Sequence, residues 1–311
     1  MSTAFVTHHD CSRHDTGWAH PEHQGRLPAI ARAVYREMLS LHEVLREMEG
    51  RPAGQDDLRL VHDGAYLARV RDGVAQAERE GRPVDFEGGT MLSAASWDAL
   101  TAGAGCAITA ADALLEGAAA NAFCAIRPPG SGAGRSRAGN HAIVNSAAIA
   151  ALHLRRRRGM DAVLILEWGE NYGSGTADIV GDDPGIRYIA LHSEASDSTP
   201  SSAGRTSVPL PRGAGVGELL DRLDATVPEL LSGFQPQTVI LSLGLDILAS
   251  DPHGTLAVDP SDLYSLTRAV VALADESSEG RLLSILEGGY DPPAMGAAVV
   301  HHLEALAGIA S

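Results

Sequence analysis

Four short, wholly apolar or nearly apolar runs, each leading into a loop rich in Gly, Pro and ionisable side chains, constrain this chain more than any other feature. Ala122-Phe123-Cys124-Ala125-Ile126 runs into Arg127-Pro128-Pro129, and Ala162-Val163-Leu164-Ile165-Leu166 runs into Glu167-Trp168-Gly169-Glu170. Thr238-Val239-Ile240-Leu241-Ser242 leads to Asp246, and Leu282-Leu283-Ser284-Ile285-Leu286 leads to Glu287-Gly288-Gly289-Tyr290. Continuous apolar runs of this length, without alternation, read as strands covered on both faces, which means a parallel sheet between helices. Between them, residues 94–116 and 142–158 read as Ala-rich helices, and 260–275 and 292–307 as amphipathic ones. The predicted fold class is therefore α/β, a single domain over residues 1–311 with a central, mostly parallel sheet and helices on both faces. Sites in such sheets form beyond the carboxyl ends of the strands, so the four loops should converge on one pocket. The Gly/Ser/Pro-rich segment 193–215 is predicted to be an irregular loop bordering it.

At 311 residues and 44% hydrophobic, the chain can bury a large core. No internal repeat or linker divides it. No apolar run reaches the roughly 18 residues of a membrane span, and no basic-then-apolar signal pattern opens it, so a cytoplasmic protein is expected. The abundance of Ala, Gly and Arg over Lys suggests a high-GC bacterial source. Cys11, Cys106 and Cys124 are an odd count without metal-like spacing and read as buried thiols. A formal net charge of -16 argues against nucleic acid as partner. The one basic run, Arg155 to Arg158, precedes Gly159 and reads as a solvated helix end. The expected partner is a small molecule, and a homo-oligomer is compatible with the sequence.

The loops themselves resemble a known family. His14-Asp15-Thr16-Gly17 and His20-Pro21-Glu22 followed by Arg26-Leu27, then Arg127-Pro128-Pro129-Gly130, Leu241-Ser242-Leu243-Gly244-Leu245-Asp246 and Leu286-Glu287-Gly288-Gly289-Tyr290-Asp291 stand in the order found in the arginase-fold deacetylases. That family comprises histone deacetylases and acetylpolyamine amidohydrolases. Its zinc loop typically reads Asp-Trp-Asp-Val-His-His-Gly-Asn-Gly-Thr, and the second Asp and first His bind the metal. The corresponding stretch, Glu167-Trp168-Gly169-Glu170-Asn171-Tyr172-Gly173-Ser174-Gly175-Thr176, has Gly169 and Asn171 there. The two histidines that follow the Arg-Pro-Pro-Gly of the family, its general base and electrostatic partner, are replaced by Ser131 and Gly132. By resemblance, Asp246 is the one remaining zinc ligand, where three protein ligands are usual, and Tyr290 is the residue that polarises a substrate carbonyl. No catalytic zinc and no other cofactor is expected. Glu167 and Ser193 match positions that in the family help hold a structural monovalent cation, with Glu for the usual Asp.

The resemblance also implies a changed tunnel. His141 falls where the family has a wall Phe, and Thr199 where it has the opposite aromatic wall. A wider, more polar channel is a poor grip for an acyl-lysine stem. Tyr290, Asp246, Glu170 and His141 are the candidate catalytic residues, because a carboxylate in a partly closed pocket can acquire a raised pKa and exchange protons. Adjacent residues leaving a strand point opposite ways, so Glu170 is not read as a substitute zinc ligand. Ser131, Asn140, Asn171, Tyr172, Thr199, Gly288 and Glu22 are the candidate substrate-binding residues. Three readings follow: a repurposed, metal-independent enzyme performing acid–base chemistry such as cyclisation, dehydration or isomerisation in bacterial biosynthesis; an inactive pseudo-deacetylase that binds a ligand or a protein; and a residual metal-dependent amidohydrolase. The first is favoured because polar groups, not apolar filler, surround the old centre.

Overall fold

The four apolar runs become the middle of one parallel sheet. The computed structural model of the protein describes residues 2–37, 41–181, 183–198, 201–202 and 204–309. The chain begins with β1 (Thr3–Thr7), a 3-10 turn at His9–Arg13, α1 (Arg26–Arg36) and β2 (Leu45–Glu49). A short α2 (Gln55–Leu58) and α3 (Gly64–Glu80) lead to the hairpin of β3 (Val84–Glu87) and β4 (Thr90–Leu92), then α4 (Ser96–Leu115) and β5 (Asn121–Cys124). There follow α5 (Ser146–Arg156), β6 (Val163–Gly169), α6 (Ser174–Val180), β7 (Ile186–Ser193) and β8 (Arg205–Leu210). The chain continues through α7 (Val216–Leu230), β9 (Thr238–Leu243), α8 (Asp262–Ser277), β10 (Leu282–Leu286) and α9 (Pro292–Ala307).

The large sheet runs β2-β1-β5-β10-β9-β6-β7-β8, with every described pairing parallel. All residues of β5, β6, β9 and β10 are buried, as their continuous apolar composition requires. Register makes their ends level: Leu282 sits opposite both Asn121 and Val239, and Val163 opposite Thr238. Strands that start level and have similar lengths finish level, so the loops beginning at Arg127, Glu170, Gly244 and Glu287 emerge side by side. The sheet joins strands from the first residues of the chain to those from its last third, and α9 packs against α1, so the sequence makes one α/β unit.

Segment 193–215, expected to be irregular, contributes β8, which pairs in parallel with β7. Its Arg-Thr-Ser-Val-Pro-Leu sequence lacks an apolar run because β8 is an edge strand with one side unpaired, where Pro209 is tolerated. Helix α4 is apolar and 20 residues long, enough by length and composition to cross a membrane, but 72% of it is buried inside the fold, where it packs against α5. It is a core helix. The basic run closes α5 in ion pairs, Arg155 with Asp183 (2.8 Å), Arg157 with Asp57, and Arg158 with Asp112 (3.1 Å), and Gly159 takes a left-handed φ of 73°. The three cysteines are buried and free.

Small residues let α4 approach its neighbours closely. A Cβ at Gly105 would stand 1.8 Å from the carbonyl oxygen of Arg51, a backbone atom that cannot rotate away. Gly105→Ala is expected to cost about 1–3 kcal/mol through overpacking, seen as a lower Tm by circular dichroism. An unchanged Tm would show that the Arg51 segment moves aside freely.

Candidate active site

The strand ends are tied together by a buried ion-pair cluster. Glu22, fully buried, receives Arg127 on both carboxylate oxygens (2.7 Å each) and Arg26 at 3.0 Å. Arg127 also donates to the carbonyls of His14 and Glu22, and Arg26 to those of Gly289 and Glu287. The two guanidiniums therefore fasten the entry segment, the Arg-Pro-Pro-Gly loop and the Glu287–Tyr290 loop to one another. Burial opposes the charge on Glu22, but Arg127, His14 and Arg26 together outweigh it and hold the carboxyl at about 2. Burial pushes the His14 imidazole down to about 4, so it is neutral, with Nδ1 2.8 Å from the Ser96 hydroxyl.

Above this clamp lies a polar cavity of about 30 Å³ whose walls include Ser131, Asn140, Gly169, Asn171, Asp246, Gly288 and Tyr290. Asp246 projects from the loop after β9. Its Oδ1 accepts the Glu170 backbone N–H at 3.0 Å, and its Oδ2 faces Gly288, where a Cβ would stand only 2.3 Å away. Glycine at 288 is thus what admits the carboxylate. Burial pushes Asp246 up to about 7, with the nearby charges of Asp251 and Glu170 raising it and the Glu170 N–H lowering it.

Tyr290 is half-buried on the cavity wall. Its N–H donates to Asp251 at 2.6 Å, the Arg26 guanidinium sits 5.3 Å from its ring centroid, and His141 and His253 meet the ring edge-on at 5.8 and 5.6 Å. Burial, with Asp246 and Glu22, raises the phenol well above its usual range against the opposing pull of Arg26, so it remains a hydrogen-bond donor. Glu287 and Glu167 also line the cavity: Glu287 accepts the N–H groups of Gly130 and Ser131 and the Ser242 hydroxyl, and Glu167 accepts the Tyr188 hydroxyl at 3.2 Å. Burial raises both carboxyls, Glu167 the more strongly because Glu287 stands near.

Several predicted site residues therefore meet: Asp246, Tyr290, Ser131, Asn140, Asn171 and Gly288 all line the cavity. His141, at a left-handed φ of 65°, stands at its edge between Tyr290 and His20, whose ring is 4.6 Å away. Burial holds the His141 imidazole below its usual value, and its Nδ1 has no hydrogen-bond partner among the described residues.

Other candidates are corrected. Glu170 does not face the cavity; its carboxylate is held by the Thr255 N–H (2.7 Å) and hydroxyl (2.9 Å), on the side opposite Gly169 as strand alternation demands. Tyr172 is buried against His192 and Tyr188, at 5.3 and 6.1 Å between centroids, and is not among the residues that line the cavity. Glu22 belongs to the ion-pair clamp and has no exposed surface with which to touch a ligand. Of the two residues expected near a monovalent cation, Glu167 accepts the Tyr188 hydroxyl and Ser193 bonds Thr255 at 2.8 Å. Thr199 lies outside the described residues.

Sequence reasoning missed Asp251 and His253, which set the charge of Asp246 and the seat of Tyr290. Both lie in the polar loop that follows β9 at the catalytic edge of the sheet, which was the available signal. Trp168 was also missed as a wall residue; it is fully buried with its indole N–H unpartnered among the described residues.

Residues 20–306 match the family model described as Histone deacetylase domain. The chain belongs to the histone deacetylase family. Among members of that family it is 28% identical to a probable deacetylase of Archaeoglobus fulgidus, over 93% of this chain and 82% of that one. It is 27% identical to the polyamine deacetylase HDAC10 of Homo sapiens, over 99% of this chain but only 46% of that protein. The crystal structure of the HDA15 HD domain superposes with a TM-score of 0.87 at 26% identity, covering 99% of this chain and 89% of that one. The histone deacetylase family fold accounts for the parallel sheet and for the order of loops at its carboxyl edge.

The Glu22 clamp should dominate acid stability. Because its carboxyl is held below the value of an unfolded chain, the stabilisation is complete above about pH 4.5 and is lost as pH falls towards about 2. Glu22→Gln, which strands two buried guanidiniums, is expected to cost about 3–5 kcal/mol in urea unfolding at pH 7. A cost below about 1 kcal/mol would mean the cluster is solvated like a surface pair.

Proposed function

We propose that this deacetylase-family chain acts without a catalytic zinc, as a repurposed acid–base enzyme on a small molecule. The observation that carries the reading is Asp246. Its carboxyl, pushed up to about 7, shares one cavity with a tyrosine that stays protonated, and the two neighbouring ligand positions are Gly169 and Asn171. That donor set does not fit zinc: glycine offers no side chain, and an amide oxygen is a weak, neutral substitute for imidazole. Among the described residues, the three-residue group of His, Cys, Asp and Glu whose ligand atoms lie together is His8, His9 and Glu49, away from this cavity.

A carboxyl near 7 is partly ionised at neutral pH and can both take and return a proton. In the proposed chemistry, the Asp246 carboxylate removes a proton next to a carbonyl. Tyr290 donates a hydrogen bond to the oxygen that gains charge, and Asp246 returns the proton at another atom or to a departing hydroxide. The first outcome is isomerisation and the second dehydration; attack of the enolate carbon on a second carbonyl of the substrate, whose π bond opens to an alkoxide that takes the proton back from Asp246, would give cyclisation. Ser131, Asn140 and Asn171 supply hydrogen bonds that orient the reacting group. The proposed setting is a biosynthetic route in the cytoplasm of a bacterium.

A second reading, an inactive pseudo-deacetylase that binds a ligand or a protein, is favoured by one observation. A cavity of about 30 Å³ is far smaller than the several hundred Å³ of ordinary small-molecule sites. It admits a few atoms, so under the first reading only the reacting end of a substrate enters past Tyr290 and His141.

Metal content and turnover separate the possibilities. Protein purified without chelators should carry no zinc that depends on Asp246, so Asp246→Asn and the unaltered chain should have the same zinc content by elemental analysis. Acetyl-lysine peptides and acetylated polyamines should not be hydrolysed above background. Zinc lost specifically in Asp246→Asn, together with chelator-sensitive hydrolysis, would restore a metal-dependent amidohydrolase. With compounds made by the enzymes encoded beside this one, Tyr290→Phe and Asp246→Asn should each slow conversion about a hundredfold. A compound that binds in the cavity and is recovered unchanged supports the binding module instead.

A further inference from the structure

We infer that His8, His9 and Glu49 form a second site, distinct from the cavity, that binds one divalent transition-metal ion of the Zn²⁺ class. The sheet register builds it. Thr7, the last residue of β1, lies opposite Glu49, the last residue of β2, so the two residues after Thr7 turn their imidazoles towards Glu49. His8 Nε2 is 3.9 Å and His9 Nδ1 3.6 Å from the same Glu49 oxygen, and one ligand atom from each of the three residues lies within 4.8 Å of the others.

The opposite edges of both rings face a second carboxylate. Asp10 is 3.5 Å from His8 Nδ1 and 3.4 Å from His9 Nε2. An imidazole with one nitrogen towards a metal and the other towards a carboxylate is the arrangement that orients metal-binding histidines and raises their basicity. His8 is 8% exposed and its ring is stacked on that of His9 at 4.4 Å, 26° from parallel, which limits the freedom that binding must remove. His8 Nδ1 accepts the Asp10 N–H at 3.2 Å. Ligation through Nε2 moves the ring proton to Nδ1, which gives up the bond from the Asp10 N–H and turns instead to the Asp10 carboxylate, 3.5 Å away. Arg13 donates to Asp10 Oδ1 at 2.7 Å, the oxygen that also faces His9, and keeps that carboxylate in place.

Two imidazoles and one carboxylate select Zn²⁺, Co²⁺ or Ni²⁺ over the all-oxygen cations Mg²⁺ and Ca²⁺. His9 and Glu49 are exposed, so water fills the remaining positions. The ion would fasten edge strand β2 to the turn after β1.

The test is calorimetric titration of the full chain, freed of metal by chelation, with Zn²⁺ alone. Its companion is Co²⁺ titration, in which visible absorption reports imidazole coordination. One Zn²⁺ per chain is expected. His9→Ala and Glu49→Gln should each weaken it by about tenfold or more, Asp10→Asn by about tenfold, and Asp246→Asn should retain it, which separates this site from the old centre. Because His9 and Glu49 are exposed, the variants should keep the far-ultraviolet circular dichroism of the parent. If one does not, Zn²⁺ protection of His9 against histidine-specific acylation in the unaltered chain gives the same answer. No Zn²⁺ binding at concentrations of about 1 mM, affinity indifferent to both His9→Ala and Glu49→Gln, or acylation of His9 undiminished by Zn²⁺ would overturn the inference.

Discussion

The structure depends on a buried carboxylate held between two buried arginines. Glu22 by itself would be an expensive residue to place in a protein interior; paired with Arg26 and Arg127, it becomes the point where three distant stretches of chain are joined. Each guanidinium spends its remaining donors on backbone carbonyls, those of His14, Glu22, Glu287 and Gly289. The loops that carry Ser131 and Tyr290 are therefore located by the same interaction.

Above the clamp, electrostatics are set by crowding of acids. Glu167, Glu287, Asp246 and Asp251 approach one another, and although Arg26 draws Glu287 and Asp251 down, burial still leaves all four raised. Backbone N–H groups do part of that work: Glu287 takes two, and Asp246 and Asp251 take those of Glu170, His253 and Tyr290. Such bonds orient the carboxylates without cancelling their charge, and burial then decides their protonation. Three of these acids, Glu167, Asp246 and Glu287, line the cavity beside a phenol that does not ionise.

Much of the fold was legible because buried parallel strands have a distinctive composition. The runs around Phe123, Ile165, Ile240 and Ile285 lack alternation, and only a sheet covered on both faces uses such segments. Strand β8 was not legible, because an edge strand with polar residues and Pro209 carries no such signal. At the site, spacing and resemblance located Asp246, Tyr290, Ser131 and Asn171. They could not say where Glu170, Tyr172 and Glu22 would spend their polar atoms. Those assignments turn on partners far away in sequence, Thr255 for Glu170 and Arg127 for Glu22, and pairings of that kind are decided by packing alone.

The proposed chemistry requires a raised proton affinity at Asp246, and that quantity is measurable without knowing the substrate. Infrared difference spectra of the carboxyl stretch, recorded across pH for the unaltered chain and for Asp246→Asn, isolate this one group. A protonated-carboxyl band that disappears with a midpoint near pH 7 and is missing from the variant is the predicted result. An Asp246 that stays ionised down to about pH 4, the range of an ordinary aspartate, would contradict it.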